Sequence, residues 1–126
     1  MSDPLDSLIT SDNEKPNLEL LAKIINKFIR FTPEGEIIED KPYIKLKDWQ
    51  KVLLFLLARK VIFIKKLKKE FKEEISPKVI SENTCIKYNT VTKVLCSQLK
   101  GVTKSINGKH KIPNYNLYKC EELIKK

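Results

Sequence analysis

The sequence predicts a mainly α protein with one small β-hairpin, an α+β chain whose single main domain follows an N-terminal appendage. Three observations predict it. Apolar residues recur at intervals of three and four over much of the chain, the periodicity of helices that bury one face. Ser76-Pro77 opens two short patterned segments separated by a tight turn, and Ser followed by Pro is a strong helix start. Asn107-Gly108 lies between two brief runs that suit strands, and Asn-Gly supplies the positive φ angles a two-residue hairpin needs.

Residues 1–16 are polar and acidic and contain Pro4 and Pro16, so a flexible acidic tail is expected. Residues 17–46 form the appendage. Asn17 is placed as an N-cap, with Glu19 in the first turn. Leu18, Leu21, Ala22, Ile25, Phe28 and Ile29 then make one apolar stripe, which predicts a helix over 17–31. Thr32-Pro33-Glu34-Gly35 ends it. A short strand is expected between Glu36 and Tyr43, before Pro42 interrupts.

The main domain is expected over 47–126. A core helix begins near Asp48 with Trp49, Val52, Leu53, Leu56 and Leu57 inward, and Leu54 and Phe55 make it apolar on more than one side. Val61–Ile64 suits helix or strand, and Lys65–Glu74 is expected as a charged helical turn or two. A helix pair follows over about 77–100. Its first helix runs to about Asn83 and buries Val79 and Ile80; Ile86 plugs the turn. Asn89 is placed as the cap of a second helix, 89–100, with Val91, Val94, Leu95 and Leu99 inward and Gly101 just past its end. The hairpin spans about 102–112, with Ser105 opposite His110 and Lys104 opposite Lys111. A last helix is expected over about 116–125.

Charge is distributed unevenly. Net charge is +9. Residues 1–42 hold 5 basic and 9 acidic side chains, whereas residues 43–126 hold 20 basic and 7 acidic. Between Asn83 and Cys120 there is no carboxylate in 38 residues that carry seven lysines and the single histidine. A positive, acid-free surface suits a phosphate backbone. The chain has 23 lysines and only Arg30 and Arg59 as arginines. Lysine meets phosphate as a point charge, so guanine readout by an arginine fork is not expected within that stretch.

Other classes of chemistry find little support. Cys85, Cys96 and Cys120 are an odd number without close pairing, as expected of reduced thiols that are buried or half-buried. With His110 they make four candidate ligands at spacings that lack a Cys-x-x-Cys knuckle, so no metal and no cofactor is expected. One histidine with no carboxylate to orient it argues against nucleophilic catalysis, and the chain is not expected to be an enzyme. Met1-Ser2-Asp3-Pro4 lacks the signature of a signal peptide, and Val52–Ile64 is too short to span a bilayer. A cytoplasmic, nucleoid-associated protein without membrane contact is the expectation.

From Lys47 to Lys126 the chain resembles the winged helix-turn-helix DNA-binding superfamily, of the prokaryotic and archaeal transcription-regulator type. The resemblance is carried by Ser76-Pro77, Ile80-Ser81, Ile86, Asn89-Thr90-Val91, Leu95 and Leu99-Lys100-Gly101-Val102, then Asn107-Gly108 and Ile112-Pro113. Members usually place an apolar residue seven after the valine, where this chain has Gln98 and offers Leu99, which implies a slightly rotated helix. The resemblance implies double-stranded DNA binding by a small transcription regulator, with the second helix in the major groove and the wing on backbone or minor groove. It points to Asn89, Thr90, Thr92, Lys93, Ser97 and Lys100 on the helix, with Asn89 suited to adenine and Thr92 to a thymine methyl. Lys87 with Tyr88 at the turn, and Lys104, Lys109, His110 and Lys111 on the wing, are the remaining candidates. The alternative is a winged-helix module that docks on protein in a replication, transcription or repair complex. The 17–31 helix either caps its own domain or forms a homodimer.

Overall fold

The computed structural model describes residues 17–125, so the tail expected at 1–16 lies outside the described residues. These residues form a mixed α+β structure of six helices and two separate two-stranded antiparallel sheets. Helix α1 (Leu18–Ile25) leads into a first hairpin, β1 (Ile29–Phe31) and β2 (Ile37–Glu39). A short helix α2 (Lys41–Ile44) precedes the long α3 (Asp48–Lys65). Then come α4 (Pro77–Thr84), α5 (Tyr88–Cys96), a second hairpin of β3 (Lys104–Ile106) and β4 (Lys109–Lys111), and α6 (Leu117–Ile124).

Helix α3 is the centre of the molecule. Val52 through Leu57 are all buried, with Val52, Leu53, Leu54 and Leu57 fully enclosed. A helix buried on consecutive positions has neighbours all around it, and α1, α4, α5 and α6 all pack against α3. Replacing a fully enclosed leucine such as Leu53 with alanine is expected to cost about 2–5 kcal/mol. Val61–Ile64, ambiguous in sequence, continues α3 as helix. No described helix is long and apolar enough to cross a membrane.

Asn17 caps α1 as expected, its side chain accepting from Leu20 N at 3.1 Å. The helix does not reach residue 31. It ends at Ile25, and Ile29–Phe31 form β1. The Thr32–Gly35 turn explains the change: Gly35 N donates to Thr32 O and Thr32 N to Glu36 O, both at 3.0 Å. That closure turns the chain back on itself, and the strands pair with Ile29 opposite Glu39 and Phe31 opposite Ile37. β-Branched and aromatic residues beside a tight turn fit a hairpin as well as a helical stripe. The buried face of α1, which is Leu21, Ile24 and Ile25, is occupied within the chain by packing on α6 and α3. Leu18 stays exposed.

Of the turn or two expected at Lys65–Glu74, only Lys65 is helical, as the end of α3; 66–74 is irregular. Lys66 takes a left-handed conformation and ends α3, and Glu70 has a positive φ as well. Five lysines among residues 65–72 would crowd like charges at helical spacing. Arg59 holds the segment instead. It donates to Glu73 O at 3.2 Å and Lys72 O at 2.6 Å, and its guanidinium lies over the Phe71 ring. Burial by these neighbours lowers the Arg59 pKa from its ordinary value.

Candidate nucleic-acid interface

Helix α4 starts where the sequence places it. Ser76 Oγ accepts from Val79 N at 3.4 Å, a long bond but one of correct geometry, and Pro77 is the first helical residue. Ile80 is fully buried; Val79, expected inside, is exposed. The turn into α5 is fixed by side chains. Thr84 Oγ1 donates to Ile80 O at 2.7 Å, Ser81 Oγ donates to Ile86 O at 2.5 Å, and Cys85 adopts a left-handed φ of 60°. Ile86 plugs the inner side, 7% exposed.

Helix α5 differs from the expectation at both ends. It begins at Tyr88 with Lys87 at the N-cap position, and no side chain caps it. Asn89 is therefore the second helical residue, and the cap role assigned to it is wrong: its side chain is exposed and bonds to no described residue. The first amides of α5 lack a side-chain acceptor, and no acid occupies its first turn. Such a helix start attracts anions.

The helix stops at Cys96, not Lys100. Ser97 leaves helical geometry at φ −124°, ψ −86°. The cause is the Gln98-Leu99 pair. Continued at 100° per residue, the helix would aim Gln98 at the core beside Val91 and Val94, and turn Leu99 away. Breaking after Cys96 leaves Gln98 exposed and swings Leu99 fully into the core. The helix breaks instead of rotating. Ser97 and Lys100 consequently lie in the turn after α5, and Gly101 takes its φ of +85° within that turn.

With Val91, Val94 and Leu95 inward, the outward face of α5 is Asn89, Lys93 and Cys96, flanked by half-buried Thr90 and Thr92. Tyr88 stands exposed at its start. Cys96 and Cys85 are both exposed, against expectation; Cys120 is buried, and burial pushes its thiol pKa up to about 12. Projecting the helix from its buried valines would have put Cys96 on the outer face, and that signal was available in the sequence. Among the described residues no three metal-ligating side chains gather.

The second hairpin has the expected register, Ser105 opposite His110 and Lys104 opposite Lys111. Asn107 and Gly108 supply φ angles of +51° and +78°, as the two-residue turn requires. Its base is anchored by buried Val102 and Ile112, and by Asn116 Nδ2 donating to Val102 O at 2.8 Å. Ile75, just before α4, bridges β4 through His110: N to O distances are 2.9 and 2.7 Å in the two directions. That bridge ties the hairpin to the start of the helix pair.

His110 is less exposed than the wing contact expected of it. Its ring is half-buried, Nδ1 is enclosed without a hydrogen-bond partner, and burial lowers its pKa. Lys109 is exposed, while Lys104 and Lys111 are half-buried.

Three acidic side chains are engaged away from this surface. Glu73 lies 2.8 Å from Lys60 and Glu121 lies 3.2 Å from Lys23, while Asp40 pairs with Arg30. None of these three pairs involves Lys87, Lys93, Lys100, Lys109 or Lys111. The result is an uncapped helix start, an outward helix face and a hairpin edge that expose Lys87, Lys93 and Lys109 and contain no carboxylate of their own. Comparison with protein-family models, curated proteins and solved structures gives no significant match for this chain.

Proposed function

We propose that the chain is a winged helix-turn-helix protein that binds double-stranded DNA, most simply as a small transcription regulator. In this reading α5 enters the major groove and the β3–β4 hairpin is the wing, on backbone or minor groove. The single observation that carries it is the set of lysines at 87, 93, 100 and 109, all exposed, within a stretch from 83 to 120 that has no carboxylate, and none of them in an ion pair with a described residue. Such charges condense no internal partner, and releasing counterions from DNA is how they contribute affinity.

A salt series on duplex DNA tests the reading. With about six phosphate contacts, log K falls against log salt with a slope near −5. A slope near zero refutes it.

A second reading, a winged helix that docks on protein, is favoured by one observation. Tyr88 and Ile106 are large apolar groups left exposed on α5 and the hairpin. Partner binding that survives Lys93→Glu with Lys100→Glu, but fails on Tyr88→Ala with Ile106→Ser, selects that reading. A homodimer through α1 is a separate expectation, checked by light scattering over a concentration series; a monomer throughout removes it.

A further inference from the structure

We propose that the α5 surface reads A·T base pairs, and that the Thr92 methyl recognises the 5-methyl group of thymine; this rests on the DNA reading above. The argument begins with which hydrogen-bond donors remain. Guanine presents two acceptors, N7 and O6, in the major groove, and is matched by a two-donor fork. No arginine lies between residues 83 and 120. Of the hydroxyls at 90, 92 and 97, that of Thr90 is a single donor on a half-buried flank, and the other two are spent on the backbone: Thr92 Oγ1 donates to Asn89 O at 3.0 Å, and Ser97 Oγ donates to Lys93 O at 2.6 Å. A hydroxyl has one proton to give, so neither offers a donor to a base. The Tyr88 phenol is a single donor, and Lys93 carries its three N–H donors on a flexible ammonium that lacks the planar fork of arginine and suits phosphate as a point charge.

What the outward face does offer is different in kind. Asn89 presents one donor and one acceptor, its carboxamide bonded to no described residue, and that pattern matches adenine N6 and N7. Thr92 sits one turn along the same side. With its hydroxyl turned back to the Asn89 carbonyl, its methyl is the group left for a ligand. A methyl there has a natural counterpart in thymine, whose C5-methyl is the one apolar group on the major-groove edge of the bases. Asn89 and Thr92, three residues apart on a helix, lie close enough to address one A·T step or two adjacent ones.

The experiment selects bound duplexes from a random pool, sequences them, then remakes the best site with deoxyuridine in place of thymidine. Deoxyuridine deletes the methyl and leaves pairing intact. Support is enrichment of A·T at two or more adjacent positions, with about threefold weaker binding per contacted methyl removed, the scale of one buried methylene. Thr92→Ser keeps the hydroxyl bond and removes the methyl, so this variant is expected to bind thymidine and deoxyuridine sites equally. Asn89→Ala is expected to lose about tenfold at the adenine position. Enrichment of G·C, or wild-type affinity that is the same for both sites, overturns the inference while leaving salt-dependent DNA binding intact. Absence of any salt-dependent duplex binding overturns the DNA reading itself.

Discussion

Lys60 on α3 is 2% exposed, 2.8 Å from Glu73 Oε2 and 2.7 Å from Asn114 Oδ1. Lys93 on α5 points into solvent and belongs to none of the ion pairs described above. Both are lysines on helices that share the same core. The first is a charge whose cost of desolvation is offset inside the molecule by the Glu73 carboxylate and the Asn114 carboxamide. The second pairs with no carboxylate among the described residues. A lysine of the first kind organises the fold, joining α3 to the irregular 66–75 segment and to the Asn114–Asn116 turn. Lysines of the second kind do little for stability, and their value appears only when an anionic partner arrives.

The largest effect is expected from breaking the internal pair. Glu73→Ala leaves Lys60 buried without its carboxylate, and losing one partner of a buried pair typically costs about 3–5 kcal/mol. In a chain of this size that corresponds to a Tm lower by more than about 10 °C, read by calorimetry. The double variant Lys60→Met with Glu73→Leu removes both charges and is expected to recover most of the loss. A double variant as unstable as the single one would mean that the segment is held by shape and not by charge.

Next in size is the outward pair. Lys93→Glu with Lys100→Glu removes two phosphate contacts, each worth about 0.9 log units at 0.1 M salt, so DNA affinity is expected to fall roughly fiftyfold. Both sites are exposed, so the change in stability is expected within about 0.5 kcal/mol. Breaking the inner pair thus moves folding, whereas reversing charge on the outer face moves binding. An equal Tm loss at both sites would erase the distinction.

Parts of this contrast were readable from the sequence and parts were not. The hairpin register followed from Asn107-Gly108, because a two-residue turn leaves no freedom in pairing. Ser76-Pro77 gave the start of α4 for the same local reason. The stretch without acids was visible as composition, and Asn89, Lys93 and Lys109 do stand exposed. The length of α5 was not legible, since the competition between Gln98 and Leu99 for the core is settled by what α3 and α6 leave open. Nor was the end of α1, where Phe28, Ile29 and Phe31 satisfy a helical stripe and a strand alike. The Lys60–Glu73 pair is thirteen residues apart across an irregular segment, and no local pattern announces it.

Cysteine reactivity sharpens the boundary between inside and outside. Cys85 and Cys96 are exposed, whereas Cys120 is buried with its thiol pKa pushed up to about 12. Because the thiolate is the reactive species, two of the three thiols are expected to react quickly with a thiol reagent at pH 8, and the third only on unfolding. Bound duplex is expected to slow Cys96 at least severalfold, since it lies at the C-terminal end of the outward face of α5. Equal labelling of Cys96 with and without saturating DNA would move the contact surface off that face.

The smallest expected effect concerns His110, which belongs to neither class of lysine. It sits in the positive hairpin, yet its Nδ1 is enclosed without a partner and burial lowers its pKa below the ordinary 6.5. The neutral ring is thus favoured by folding, and the unfolded chain takes up a proton more readily. Stability from this group is fully present above pH 6.5 and is lost as the pH falls below it toward the folded value. A modest fall in Tm between pH 7.5 and 5.5 is expected, and His110→Leu should reduce that slope while keeping the main-chain bridge to Ile75, which needs no side chain. An unchanged slope would assign the acid sensitivity to carboxylates. A Tm that rises on acidification, and does so only with His110 present, would mean that the ring is charged in the folded protein, which would return it to the positive surface beside Lys109.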